Sequence, residues 1–232
     1  MFETPMISAA IGRIAPDFRA LSVHVDASAA GRGKPDVNLL TDACAFALAG
    51  GPSWAEAHLA SWADVYARFG AKPNRTPCSA HALRKRVLKD GGIPAINPLV
   101  DLYNAVSVKY AIPVGGENYD AYVGAPRLTI ADGNEVFDTM ANGEATIESP
   151  LPGEVIWRDD FGVTCRRWNW RQGTRTRLER PEGRMWFVLE SLGTMPEEAL
   201  EQAGEELVNG LSRLMPGCEI VKRQIAFSTA EA

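Results

Sequence analysis

The sequence predicts an α+β fold in which helices flank a mostly antiparallel sheet. Apolar residues recur at helical spacing near both ends of the chain, whereas residues 115–152 contain glycine, proline and short alternating apolar runs, which are typical of strands and turns. The chain has 232 residues, of which 46% are hydrophobic and 23% charged, so it has a globular composition and is long enough to fold without metals or disulfides.

The N-terminal elements are predicted to be one strand and two helices. Residues 18–25 alternate apolar and polar side chains, which indicates a strand with one buried face. The apolar run 39–48 predicts a helix. The next helix is expected to begin with a capping box made by Ser53 and Glu56 and to end at Gly70.

Three further helices follow from their start signals. Ser79 is expected to cap a basic helix over 80–89, and Asn97 followed by Pro98 predicts a helix through residue 109. A last, acidic helix is expected within 194–216. Between these helices the apolar runs predict strands at 127–130, 135–137, 145–147, 154–157 and 185–189.

The arginine content of one segment is the most unusual local feature. Residues 158–184 hold eight of the 18 arginines, four acids and no lysine, a balance of +4 in a chain of net charge −5. Arginine in preference to lysine indicates bidentate recognition of phosphate or carboxylate. Residues 164–173 are expected to form one strand with arginines on both faces. Because unpaired buried guanidinium groups are costly, they need anionic partners, either acids of the protein or a ligand.

Other chemistry-bearing residues give weaker signals. Trp168 and Trp170 allow two interpretations, stacking on nucleotide bases or packing in the core. The three histidines, His24, His58 and His81, have no carboxylate or cysteine at ligand spacing, so no metal site is predicted. No nucleotide fingerprint or nucleophile elbow occurs, and no cofactor is expected.

Charge and cysteine spacing narrow the functional class. The net charge of −5 argues against a protein that coats nucleic acid by bulk charge. The four cysteines, 34, 87 and 53 residues apart, fit no zinc or redox motif and are interpreted as reduced thiols of a cytoplasmic protein. No signal peptide or membrane span is predicted.

Three runs carry a resemblance to a known family. They are IPAINPLVDLYNAVS at 93–107, IPVGGE at 112–117 and GVTCRRWNWRQ at 162–172. They resemble the freestanding bacterial B3/B4-domain proteins, which are similar to the editing module of the phenylalanyl-tRNA synthetase β-subunit. The resemblance implies that module's α+β fold.

The domain organisation expected from this resemblance is a single domain over residues 1–232. Its core covers about residues 54–190, preceded by a strand-and-helix extension over 1–53 and followed by a C-terminal helix over 191–217.

The resemblance implies a trans-acting aminoacyl-tRNA deacylase, an ester hydrolase that removes a wrongly attached amino acid. The expected partners are the aminoacyl 3′ end of a tRNA and the amino acid it carries, with no DNA and no membrane. The alternative is a non-catalytic module that binds a free amino acid, a small anion or tRNA.

The resemblance also places residues of the synthetase pocket on this chain. Its asparagine falls on Asn104, its histidine position is Gly115, and its glutamate position lies near Arg175. Asn104 and Gln172 are expected to orient water or the carbonyl group. The residues expected to contact substrate are Arg166, Arg167, Trp168, Asn169, Arg171, Arg175 and Gly115.

Overall fold

The computed structural model describes residues 2–228. Within that range the helices are α1 (Ala9–Ile14), α2 (Leu39–Leu48), α3 (Ala55–Arg68), α4 (Ser79–Asp90), α5 (Pro98–Tyr110) and α6 (Glu197–Leu214). The strands are β1 (Met6–Ile7), β2 (Arg19–Asp26), β3 (Val114–Asn118), β4 (Arg127–Ile130), β5 (Phe137–Ala141), β6 (Glu144–Glu148), β7 (Val155–Arg158), β8 (Val163–Arg166), β9 (Arg171–Gln172), β10 (Arg184–Ser191) and β11 (Glu219–Gln224).

The strands form two sheets and a separate hairpin. One sheet has the order β11-β2-β10-β3 and the other the order β1-β4-β7-β8-β9, while β5 and β6 pair with each other. The pairings between these strands are antiparallel except that of β1 with β4. The predicted α+β class with a mostly antiparallel sheet is therefore confirmed.

The four-stranded sheet lies between two hydrophobic cores. On one face, Leu21, Val23 and Val25 of β2 pack with residues of α5 and α6. On the other face, Ser22 and His24 are also buried, at 2% and 5% exposure. The prediction that β2 has one exposed face is wrong, because the second sheet and the N-terminal segment cover that face.

The N-termini of the helices test the capping residues that the sequence predicts. Asn97 accepts hydrogen bonds from the backbone amides of Leu99 and Val100, and Pro98 occupies the first helical position of α5, as predicted. At α4 the N-cap is Cys78, one residue before Ser79, so the predicted cap is wrong. The last predicted helix, α6, is confirmed.

The capping box predicted for α3 does not form. The N-cap residue is Trp54, whose backbone is already in the right-handed helical region, and no side chain caps the helix. The amide of Ala55 instead bonds to the carbonyl of Pro52. A side-chain cap requires an extended N-cap residue, which this turn does not provide.

The predicted strand at 164–173 is wrong. The chain reverses after β8, and Arg167 and Trp168 have φ of 47° and 66°, in the left-handed region. The backbone N–H of Arg167 donates to Glu154 Oε1 (3.1 Å), and that of Trp168 donates to the carbonyl of Val155 (2.6 Å). These contacts hold a conformation that neither residue adopts readily by itself.

Among residues 2–228, no helix is long and apolar enough to cross a membrane.

Candidate functional site

The segment made of β8, the turn and β9 (163–172), here called the arginine hairpin, pairs its arginines with acids of the protein. Arg166 holds Glu154 by two hydrogen bonds of 2.9 Å and donates through Nη1 to Glu148 Oε2 at 2.8 Å. Both Arg166 and Glu154 are buried. Of the two kinds of anionic partner that the sequence allowed, those of Arg166 are protein carboxylates.

Arg167 and Arg171 are half-buried and more weakly paired. Arg167 Nε lies 3.6 Å from Glu154 Oε2, and its guanidinium covers the ring of Trp170, 4.5 Å from the centroid. Arg171 Nη1 lies 3.5 Å from Glu148 Oε1. These two guanidinium groups keep donor capacity for an external anion.

Arg175 is bound to a second buried acid. Its Nη1 and Nη2 donate to the two carboxylate oxygens of Asp159, each at 2.9 Å. Burial alone would raise the pKa of Asp159, but the hydrogen bonds from Arg175 and from backbone amides, among them that of Val123, hold that pKa below its usual range.

Trp168 and Asn169 belong to a buried polar cluster between the two sheets, here called the inter-sheet network. Its members are Glu190, Trp157, Trp168, Asn169 and Tyr66. Trp157 and Trp168 donate through Nε1 to Glu190 Oε1 at 2.9 and 3.0 Å, and Asn169 Nδ2 donates to Oε2 at 2.9 Å. Tyr66 donates its hydroxyl to Asn169 Oδ1 at 2.8 Å. Burial raises the pKa of Glu190 to about 7 against these donors.

Trp168 is a core residue. Its side chain is 0% exposed and makes edge contacts with Trp62 and Phe18. Of the two interpretations that the sequence left open, core packing is the one observed, and a nucleotide base has no access to this ring. The expected substrate contact through Trp168 is therefore wrong.

A further buried acid, Glu117 on β3, faces the same inter-sheet space. Tyr122 donates its hydroxyl to Glu117, and that hydroxyl also lies 3.2 Å from Thr164 Oγ1. Burial raises the pKa of Glu117 to about 7, opposed by the hydrogen bond from Tyr122. Sequence reasoning missed Glu117 and Glu190; for Glu190 the available signal is an acid directly after an apolar strand run.

Gln172 lies at the junction of the two sheets, against the residue that follows Gly115. Gln172 Nε2 donates to the carbonyl of Gly116 at 3.0 Å, which ties β9 to β3. Gly115 is half-buried, and a Cβ added there would contact only Val188, at 3.4 Å. A side chain could therefore begin at this position without a backbone clash.

Asn104 is half-buried on α5, which packs on β3. Its neighbour Tyr103 contacts β3, since a Cβ built at Gly116 would lie 3.0 Å from the tyrosine ring. Within residues 2–228 the Asn104 side chain makes no hydrogen bond, so none joins it to the arginine hairpin.

The structure offers few ligands for a metal. Among residues 2–228, no three His, Cys, Asp or Glu side chains are grouped so that they could hold a metal ion. The four cysteines are free thiols, as predicted.

A family model for the B3/4 domain matches residues 61–192, which is more than half of the chain. The chain belongs to the B3/4 domain family. The resemblance inferred from the sequence is confirmed, and the matched segment contains Asn104, Gly115, the arginine hairpin, Arg175 and Glu190.

The B3/4 segment does not supply the whole four-stranded sheet. It includes β3 and β10, whereas β2 and β11 lie before and after it. No curated protein matches this chain. Among solved structures, an N-terminal fragment of the phenylalanyl-tRNA synthetase β-subunit from Pyrococcus horikoshii is similar, with a TM-score of 0.49 and 9% identity over 97% of this chain. The chain spans 56% of that fragment.

Proposed function

We propose that the protein is a trans-acting aminoacyl-tRNA deacylase, which hydrolyses the ester of a mischarged tRNA. Membership in the B3/4 family supports a tRNA-related role. The observation that carries the finer proposal is the Gln172 amide, bonded to the residue that follows Gly115 within the matched segment.

The chemistry required of such a site is modest. An aminoacyl ester is already activated, so a positioned water and hydrogen bonds to the developing oxyanion supply much of the catalysis. Gln172 uses Nε2 on the carbonyl of Gly116, which leaves its Oε1 to accept a hydrogen bond from water. The second candidate amide is Asn104, which the family resemblance implies; its helix α5 packs on the Gly116 face of β3, opposite to the face of Gly115 and Glu117.

Glu117 adds a proton acceptor to this proposal. It lies two residues from Gly115 in β3, so the two residues share a face of the strand. A carboxyl group whose pKa is about 7 is suited to general acid–base catalysis near neutral pH.

The tRNA end would meet basic groups beside the arginine hairpin. Arg167, Lys72 and Arg75 line one cavity of about 480 Å³. Arg166 and Arg175 are already paired with Glu154 and Asp159. The residues expected to contact tRNA phosphates are therefore Arg167, Arg171, Lys72 and Arg75.

The alternative is a non-catalytic module that binds an amino acid, a small anion or tRNA. The replacement of the pocket histidine by Gly115 and of the glutamate by Arg175 favours it, since both substitutions remove groups that can transfer protons.

The two functions are separated by a deacylation screen with every tRNA–amino-acid pair. We expect release of the amino acid from at least one pair, and we expect Asn104→Ala to reduce that rate by about 10²- to 10³-fold, as for loss of an oxyanion-hole donor. Asn209→Ala, at an exposed position of α6, is the matched control.

Circular dichroism verifies that both variants are folded. Failure to deacylate any pair would favour the binding module, whereas an undiminished rate in folded Asn104→Ala would remove Asn104 from the deacylase site.

A further inference from the structure

A second cavity lies at the opposite edge of the four-stranded sheet from Gly115. It has a volume of about 590 Å³ and is bounded by β2, the edge strand β11 and residues 2–5. This volume is within the range of small-molecule sites. None of the residues assigned above to deacylation lines it.

His24 lines this cavity and has one unpaired ring nitrogen. The residue is 5% exposed, and its Nδ1 lies 3.3 Å from Ser22 Oγ, which accepts a hydrogen bond from Trp186 Nε1. Its Nε2 is buried and has no hydrogen-bond partner among residues 2–228. With the serine hydroxyl donating to Nδ1, the imidazole proton is on Nε2, where it has no acceptor among residues 2–228.

His24 stays uncharged at neutral pH. Burial and the nearby Arg223 charge lower the pKa of His24 to about 4. A buried N–H donor without an acceptor is costly, so a ligand that supplies an acceptor here gains binding energy.

The strand register divides the charges along the cavity wall. Asp26 pairs with Glu219 at one end, and Ser22 pairs with Arg223 four residues away, on the same faces of β2 and β11. This separation is about 13 Å along the strands, with His24 midway. No acidic side chain among residues 2–228 forms an ion pair with Arg223. Arg223 therefore makes one end cationic, while Asp26 and Glu219 stand at the other end, where Arg184 is the strand partner of Asp26; Glu3 also lines the cavity.

We propose that this cavity binds a free amino acid as its zwitterion. The carboxylate lies between the His24 Nε2–H and the Arg223 guanidinium, and the ammonium group lies toward Asp26 and Glu219. The positive charge of Arg184 on the same wall is already paired with Asp120 at 2.7 Å, so Arg223 is the cation left for the carboxylate.

The direct test is isothermal titration calorimetry of the full chain with each of the 20 amino acids. We expect at least one to bind, and its N-acetyl and carboxamide derivatives to bind about 10- to 100-fold more weakly, because each loses one charge-assisted contact. Binding of no amino acid would overturn the proposal. Acetate or phosphate binding as tightly as the amino acid would also overturn it, since a simple anion would then suffice.

Variants test the location of the site. Arg223→Gln is at an exposed position and retains the fold, and we expect it to weaken binding about 10-fold or more, as does His24→Gln. The matched controls Arg180→Gln and His81→Gln should bind as the unmodified protein does. Binding that survives Arg223→Gln and is lost in Asn104→Ala belongs to the Gly115 region and would overturn this assignment. Because the test measures binding, its result is independent of any deacylase activity.

Discussion

The arginine hairpin and the inter-sheet network bury carboxylates by two different means. In the hairpin, Glu154 is held by the guanidinium of Arg166, a charged partner. In the network, the donors to Glu190 among residues 2–228 are all uncharged tryptophan and asparagine groups. The two regions adjoin, because Arg166 precedes by two residues the Trp168 that donates to Glu190.

The difference shows that the charge of the donor decides whether a buried acid is ionised at neutral pH. A cation offsets desolvation, as Arg175 does for Asp159, whose pKa is lowered. Neutral donors offset the desolvation penalty of the carboxylate only in part, so the pKa of Glu190 is raised to about 7. The hairpin is thus stabilised by charge pairing, while the network stores a proton that it releases near neutral pH.

The sharpest way to break this comparison is to remove the cation from the hairpin. Arg166→Leu leaves Glu154 buried without its main partner, and we expect unfolding free energy to fall by about 3–5 kcal/mol in urea denaturation. The exposed control Arg180→Ala should change stability by less than about 0.5 kcal/mol. A loss below about 1 kcal/mol for Arg166→Leu would show that the pair contributes no such charge compensation.

The network should respond instead to pH. Because the pKa of Glu190 rises from 4.5 to about 7 on folding, the folded state keeps a proton that the unfolded state loses, and stability declines as pH rises through that window. Glu190→Gln removes this decline. Its stability relative to the unmodified protein should therefore increase by about 3 kcal/mol between pH 4.5 and 7.5.

The measurement is the urea midpoint across this pH range, with exposed Glu179→Gln as the control. The difference between proteins is the useful quantity, because His24 and His58 impose the opposite slope. Burial lowers their pKa to about 4, so their contribution is lost as pH falls from 6.5 toward 4. Parallel curves for Glu190→Gln and the unmodified protein would contradict the proton-storing network.

The smallest expected effect is at the rim of the hairpin. Arg171 and Glu148 are both half-exposed and 3.5 Å apart, so Arg171→Ala should cost about 0.2–1 kcal/mol, and less at high salt. Unfolding measured in 0.05 and 1 M NaCl checks this. A loss that salt leaves unchanged would mean that Arg171 acts through packing on Phe137 and Trp170.

Local sequence signals predicted the elements whose ends are defined locally. The Asn97-Pro98 start of α5 and the apolar run of α2 are examples. The reversal at Arg167 and Trp168 could not be predicted, because neither residue favours left-handed backbone and the contacts that hold it come from Glu154 and Val155.

The candidate site was predictable in part for the same reason. Family motifs indicated Asn104, Gly115 and Gln172, whose roles stay proposals. The acids Glu117 and Glu190 gain their unusual surroundings only when the two sheets pack together, so their pKa values have no local signature.

Strand β10 has a consequence for any attempt to isolate the B3/4 segment. It is hydrogen-bonded to β3 on one side and, over all eight of its residues, to β2 on the other, and β2 precedes the matched segment. Excision of residues 61–192 would turn a central strand into an open edge with an apolar face no longer covered by α6. Open strand edges pair with strands of other molecules, so we expect the excised segment to aggregate. In the full chain, β2 and α6 prevent this because they cover the edge and the apolar face of β10.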